Sequence, residues 1–156
     1  MPGRPFGASF QGARLQIVGA TEADRRSVAN LPGIEWIGKV TDRKQLGRLY
    51  QEAAVFVMPS LFEPWGHVFY EAMGYGLPCI GTNCCAMPEI IEDGVTGLLV
   101  PPGQPKPLAA ALIELLGDPL RAGEMGRSAH GRVLTGHTWD DVVERMNAGL
   151  ETACGR

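Results

Sequence analysis

The sequence predicts an α/β fold in which a mainly parallel sheet carries helices on both faces. Two observations predict it. Short apolar runs alternate with segments whose apolar residues recur at spacings of three and four. One of the runs, Ala54-Val55-Phe56-Val57-Met58, is apolar at every position, the pattern of a parallel strand buried on both faces.

The elements follow in order. Residues 14–18 (RLQIV) read as a strand ending at Gly19, and 21–29 as a polar helix stopped by Pro32-Gly33. Residues 34–37 form a second short strand ending at Gly38. Residues 42–53 form a helix with Leu46, Leu49, Tyr50 and Ala53 on its apolar stripe. The strand over 54–58 leads through a Pro/Gly turn to a helix over 67–75, then a strand over 78–81 and a short helix near 88–91. A fifth strand, Gly97-Leu98-Leu99-Val100, closes at Pro101-Pro102-Gly103. Helices over 108–116 and 118–130 come next. The last helix opens at Thr138 with Asp141 three residues on, a start like a capping box. Its stripe is Trp139, Val142, Val143, Met146 and Leu150.

Composition bounds the function. The 156 residues suit one domain, and a chain of this length buries roughly 68–70% of its unfolded surface. The net charge of −3, from 14 basic and 17 acidic residues, argues against a general nucleic-acid partner. There is no apolar run of about 18 residues, so no transmembrane segment is expected, and MPGRPFGASFQGA lacks the apolar core of a signal peptide. Cys79, Cys84, Cys85 and Cys154 form neither a C-x-x-C pair nor a disulfide framework. They read as reduced thiols in a cytoplasmic protein, with no zinc site. Cys84 and Cys85 read as small buried fillers. His130 and His137 read as surface residues.

Two carboxylates carry the functional question. Glu63 follows the strand over 54–58, and Glu71 stands in the next helix with seven residues between them. Ligands of open parallel sheets bind beyond the carboxyl ends of the strands. The helix beginning near Gly66 or His67 brings free backbone N–H groups and a positive dipole end to that edge, a ready anion site. On the helical wheel Val68, Phe69, Ala72 and Met73 face the sheet, and His67, Tyr70, Glu71 and Gly74 face away. A diphosphate at the helix start with a hydroxyl-rich group on either side would meet both carboxylates, which describes a sugar nucleotide. A surface glutamate after a turn and a solvated helix glutamate have the same spacing. Trp65 lines such a pocket or fills a buried turn; His67 touches phosphate through its ring or only starts the helix.

The stretches EPWGHVFYEAMGYGLPCIGTN and MPEIIEDGVTGLLVPPG resemble the C-terminal nucleotide-sugar-binding domain of GT-B glycosyltransferases, of the retaining family 4 type. The family's Glu, seven residues, Glu motif is matched by Glu63 and Glu71. Its EAM-x-x-G-x-P is matched from Glu71 to Pro78, and its P-E-I with G-x-x-G-L-L-V from Pro88 to Val100. The likeness runs over roughly residues 14 to 150; residues 1–13 match poorly. It implies a single nucleotide-sugar-binding domain over 1–156, a Rossmann-like half of a GT-B fold.

The resemblance also implies roles. Glu63, the catalytic-site carboxylate, would contact hydroxyls of the donor sugar. The backbone N–H groups of Gly66, His67 and Val68 would hold the diphosphate, and Glu71 the ribose hydroxyls. Lys39 and Val40 would lie near the base, and Cys85 and Ala86 near the donor sugar. No metal and no cofactor are implied. Where the family often has Gly-Gly, this chain has Cys85-Ala86, which narrows the pocket or shapes it for another sugar. The family's acceptor-binding N-terminal domain is missing or sits on another chain. Its first strand in this domain, with a Gly-Arg turn and a following Lys, is also missing.

The expected function is transfer of a glycosyl unit from a nucleotide-diphosphate sugar to an unspecified acceptor. This chain is the donor-binding part, inactive alone, cytoplasmic or peripheral to the inner membrane face. A nucleotide-sugar-binding module without turnover is the alternative, and a sugar-nucleotide epimerase the third. Without the central strand, strands 14–18 and 54–58 are expected to close directly on each other as one five-stranded sheet. The other outcome is a marginal monomer that pairs its edge with another chain.

Overall fold

The computed structural model describes residues 12–27, 31–135, 143–144, 146–148 and 151–152. The opening of the expected last helix at Thr138 and most of its stripe lie outside these residues, as do His137 and Cys154. Val143 and Met146 of that stripe are described and exposed. The chain divides into two compact units, Met1–Arg48 and Leu49–Arg156.

In the first unit, β1 (Leu15–Val18) runs parallel to β2 (Ile34–Gly38), with Leu15 opposite Ile34 and Ile17 opposite Trp36. Between them α1 (Glu22–Ser27) opens on a reciprocal cap. The Thr21 N–H and hydroxyl donate to the Asp24 carboxylate at 2.8 and 2.6 Å, and the Asp24 N–H donates back to the Thr21 hydroxyl at 3.3 Å. These bonds hold the Asp24 carboxyl below its ordinary range. Helix α2 (Arg43–Glu52) starts behind Asp42, whose side chain accepts from the Lys44 N–H at 2.9 Å.

The second unit holds a parallel sheet in the order β3-β4-β5, made of Phe56–Val57, Cys79–Thr82 and Gly97–Val100. Its helices are α3 (His67–Gly74), α4 (Met87–Ile90), α5 (Pro105–Gly117) and α6 (Pro119–Leu134). Strand β4 is central and buried at all four positions. Successive side chains of a strand point to opposite faces. Ile80 enters a cluster with Val100, Ala111, Leu115, Ala122 and Met125, so α5 and α6 cover that face. Gly81 faces the other way, where a Cβ would stand 2.8 Å from Ile91 and 3.1 Å from the Phe69 ring. Phe69, Met73 and Ile80 are fully enclosed, each stabilising the fold by about 1.5–3 kcal/mol.

The expectation of one five-stranded sheet is not met. The described strands form two sheets: β1 pairs only with β2, and β3 only with β4. Each sheet is parallel throughout, as expected of a doubly wound α/β fold. The long apolar run at 54–58 yields a ladder of only two residues, and Val55 to Met58 are half-buried rather than enclosed. The reason is position: β3 is at the edge of its sheet and β4, with a ladder on each side, takes the enclosed place.

Candidate functional site

The loop between β3 and α3 leaves the carboxyl edge of the sheet and is pinned there from below. The hydroxyl of Thr82, at the end of β4, donates to the Ser60 carbonyl at 2.7 Å. The Ala86 N–H donates to the Glu63 carbonyl at 3.4 Å, which ties the β4–α4 turn to the same loop. Four of the sequence-predicted residues, Glu63, Gly66, His67 and Val68, sit on this loop and the first turn of α3. Glu71 lies one turn further, and Cys85 and Ala86 are in the adjoining turn. Lys39 and Val40 follow β2 in the first unit, Lys39 exposed and Val40 half-buried.

Glu63 folds back on its own loop. Its Oε1 accepts from the Gly66 N–H at 3.0 Å and the Trp65 N–H at 3.2 Å. These two bonds hold its carboxyl below the usual glutamate range, with a small further push from His67. Its Oε2 makes no hydrogen bond among the described residues. Gly66 adopts φ 61°, and a Cβ there would stand 2.5 Å from Ile90 Cδ1. Only glycine fits this turn without strain. The consequence touches the expected phosphate cradle: the Gly66 N–H is engaged by Glu63. The His67 and Val68 N–H groups, in the first turn of α3 where no intrahelical partner exists, make no hydrogen bond among the described residues.

Helix α3 turns as its wheel requires. Phe69, Ala72 and Met73 are buried, Val68 is half-buried, and His67, Glu71 and Gly74 are exposed. Glu71 is not simply solvated, however. Its Oε2 accepts from the Tyr50 hydroxyl at 3.1 Å. Tyr50 is buried and stacked on Tyr75 with ring centroids 5.3 Å apart. Burial first, then the Glu71 carboxylate, push its phenol well above the ordinary tyrosine value, so it stays a donor. Tyr50 is the site residue that the sequence does not reveal, because its helical spacing assigns it wholly to the apolar stripe of α2.

The structure removes one of the two alternatives for Trp65 and corrects the reading of the cysteine pair. Trp65 does not fill a buried turn: it is 71% exposed, its ring parallel to that of His67 with centroids 6.3 Å apart. Cys85 is not a buried filler but exposed, at φ 53°, a left-handed conformation unusual outside glycine. Its neighbour Cys84 is half-buried, with Sγ 3.6 Å from the Leu61 carbonyl and 3.4 Å from the Thr82 hydroxyl. Cys79 is buried and its thiol is pushed up to about 12 by desolvation, which makes it unreactive. His130 is exposed, as expected, and also closes the end of α3, its Nδ1 donating to the Gly74 carbonyl at 2.9 Å. Among the described residues no group of three or more His, Cys, Asp or Glu side chains could hold a metal ion. No described helix is long and apolar enough to cross a membrane.

The carboxyl edge of a parallel α/β sheet, with a helix start facing it, is where such folds bind ligands, anions among them. Comparison with known proteins narrows the class. Residues 7–118 match the family model described as Glycosyl transferases group 1, and the chain belongs to that family. It is 36% identical over 125 residues to a sucrose synthase of Acidithiobacillus caldus, which takes in 72% of this chain and 15% of that protein. The structure of sucrose-phosphate synthase from Thermosynechococcus elongatus superposes with a TM-score of 0.76 at 30% identity, over 91% of this chain and 39% of that one. The C-terminal domain of LpcC, a glycosyl transferase group 1 family protein from Francisella tularensis, superposes with a TM-score of 0.65 at 26% identity, over 76% and 60%. The fold is that of the GT-B glycosyltransferases. The chain spans 15% to 32% of the length of the curated relatives it matches first.

Proposed function

We propose that this chain is the donor-binding part of a retaining glycosyltransferase of the family 4 type, which transfers a sugar from a nucleotide-diphosphate sugar to an acceptor. The observation that carries this reading is the placing of two carboxylates around one helix start. Glu63 lies on the loop before α3 and Glu71 one turn inside it. Between them stand the His67 and Val68 N–H groups, which make no other hydrogen bond among the described residues. Such amides, at the positive end of a helix dipole, favour a diphosphate. Glu71 then meets the ribose hydroxyls, and Glu63, through its second oxygen, the hydroxyls of the donor sugar. Glu63 also keeps the loop in shape by holding the Trp65 and Gly66 N–H groups. Cys85 and Ala86 would border the sugar. Donor binding in this reading needs no metal and takes place in the cytoplasm.

The short span relative to the curated relatives favours a second statement about this chain by itself. The acceptor side and the basic groups that offset charge on the leaving diphosphate belong to the rest of a longer protein or to a partner chain. The 156-residue chain alone is then a donor-binding module that does not turn over. Calorimetry with UDP, GDP and ADP and their sugar conjugates tests both statements together with a transfer assay. Binding of one nucleotide series without sugar transfer is the expected result. No binding of any of them contradicts the donor reading, and robust transfer by this chain contradicts the second statement.

A further inference from the structure

We propose that Tyr50 is a positioning residue that fixes the Glu71 carboxylate for the ribose hydroxyls of a bound nucleoside diphosphate, an inference that rests on the donor-binding reading above. Glu71 projects from the exposed face of α3, and a glutamate there is ordinarily free to rotate about three side-chain bonds. The Tyr50 hydroxyl removes that freedom by donating to Oε2 at 3.1 Å. The donor is itself held rigidly. Its ring is buried, stacks on Tyr75 at 5.3 Å and 21°, and lies 6.1 Å from Phe56, which in turn meets Phe69 edge-on at 5.3 Å. A chain of aromatic contacts thus runs from the core to one hydroxyl, and the hydroxyl sets one carboxylate. With Oε2 engaged, Oε1 makes no hydrogen bond among the described residues and is the acceptor left for a ligand. Pre-ordering that acceptor lowers the entropic cost of binding.

The competing account is that a buried tyrosine needs some partner for its hydroxyl and Glu71 is merely the nearest. The two accounts differ in what a ligand feels. Tyr50→Phe keeps the ring and its stacking and deletes only the hydroxyl, and thermal melting checks its fold. The affinities of UDP, GDP and ADP are measured by calorimetry, and then that of the 2′,3′-dideoxy counterpart of whichever binds. Positioning predicts that Tyr50→Phe weakens the ribonucleotide by about five- to tenfold and leaves the dideoxy compound unchanged. It also predicts no added loss in a Glu71→Ala background. Tyr75→Leu removes the stacking and keeps the hydroxyl, and should give a smaller loss that again depends on the ribose hydroxyls. If Glu71→Ala weakens the ribonucleotide while Tyr50→Phe binds like the parent, or if Tyr50→Phe loses both ligands equally, the positioning role is overturned and the donor reading stands. If Glu71→Ala changes nothing, or no nucleotide binds, the donor reading itself falls and takes this assignment with it.

Discussion

The Glu63 carboxylate closes on the Gly66 N–H at 3.0 Å, three residues along its own loop. This bond makes a proposed ligand group part of the scaffold that presents it. The Glu63 carboxyl is held below its ordinary range by Gly66 first and Trp65 second. A carboxylate whose folded value is depressed adds stability above its unfolded value, and the gain is lost as pH falls through the folded value. Glu63→Gln should therefore melt below the parent at neutral pH. The gap should close as the pH drops through and below the ordinary glutamate range. Melting curves across pH check this; a gap that stays constant would mean that the charge of Glu63 does not hold the loop.

Gly66→Ala should be the more damaging change in the same loop. Its left-handed φ of 61° and the 2.5 Å approach to Ile90 Cδ1 act together. The left-handed strain costs about 1–2 kcal/mol, and the Ile90 side-chain end must shift as well. Urea denaturation reads the loss, and an effect of a few tenths of a kcal/mol would contradict the turn geometry.

Cys85 invites the opposite substitution. At φ 53° a residue with a side chain is strained, and glycine relieves that strain while adding freedom to the unfolded chain. Cys85→Gly should raise stability by up to about 1 kcal/mol, whereas the β-branched Cys85→Val should lower it. Differential scanning calorimetry compares the three proteins. A glycine variant that melts lower than the parent would refute the strain argument.

Arg132 ties helix α6 to the end of α4. Its Nε donates to the Ile90 carbonyl at 3.0 Å and Nη2 to the Glu89 carbonyl at 2.8 Å, with the Glu92 carboxylate at 3.6 Å. These carbonyls end a helix and have no partner within it. Arg132→Met should cost about 1–3 kcal/mol. Arg132→Lys should restore less than half of that, because an ammonium cannot serve two carbonyls as a fork does. Full rescue by lysine in urea titrations would show that charge alone matters.

The sequence made legible what depends on periodicity and on turn residues. The buried arc of α3 and the strand that follows it as β4 are legible from apolar spacing and from the Pro and Gly residues around them. Strand β3 was half legible. Its apolar run announces burial, but a run does not say whether a strand has one neighbour or two, and among the described strands β3 pairs only with β4. Tyr50 escaped because its period places the ring correctly and says nothing about where its hydroxyl points. The self-capping of Glu63 and the exposure of Trp65 escaped for a related reason. Both depend on how a Pro/Gly loop bends, and Glu63 and Trp65 are only two residues apart.

The central claim is that Glu63 and Glu71 serve the two ends of one donor, and one calorimetric comparison tests it most directly. The ligands are a free nucleoside diphosphate and the corresponding nucleotide sugar, titrated into the parent, Glu71→Ala and Glu63→Gln. Glu71→Ala should lose about 1.5–3 kcal/mol for both ligands, since both carry the ribose. Glu63→Gln, which retains an acceptor for the Gly66 N–H, should weaken the nucleotide sugar and leave the free diphosphate nearly unchanged. Equal losses for both ligands in Glu63→Gln, or an unchanged diphosphate affinity in Glu71→Ala, would contradict the account.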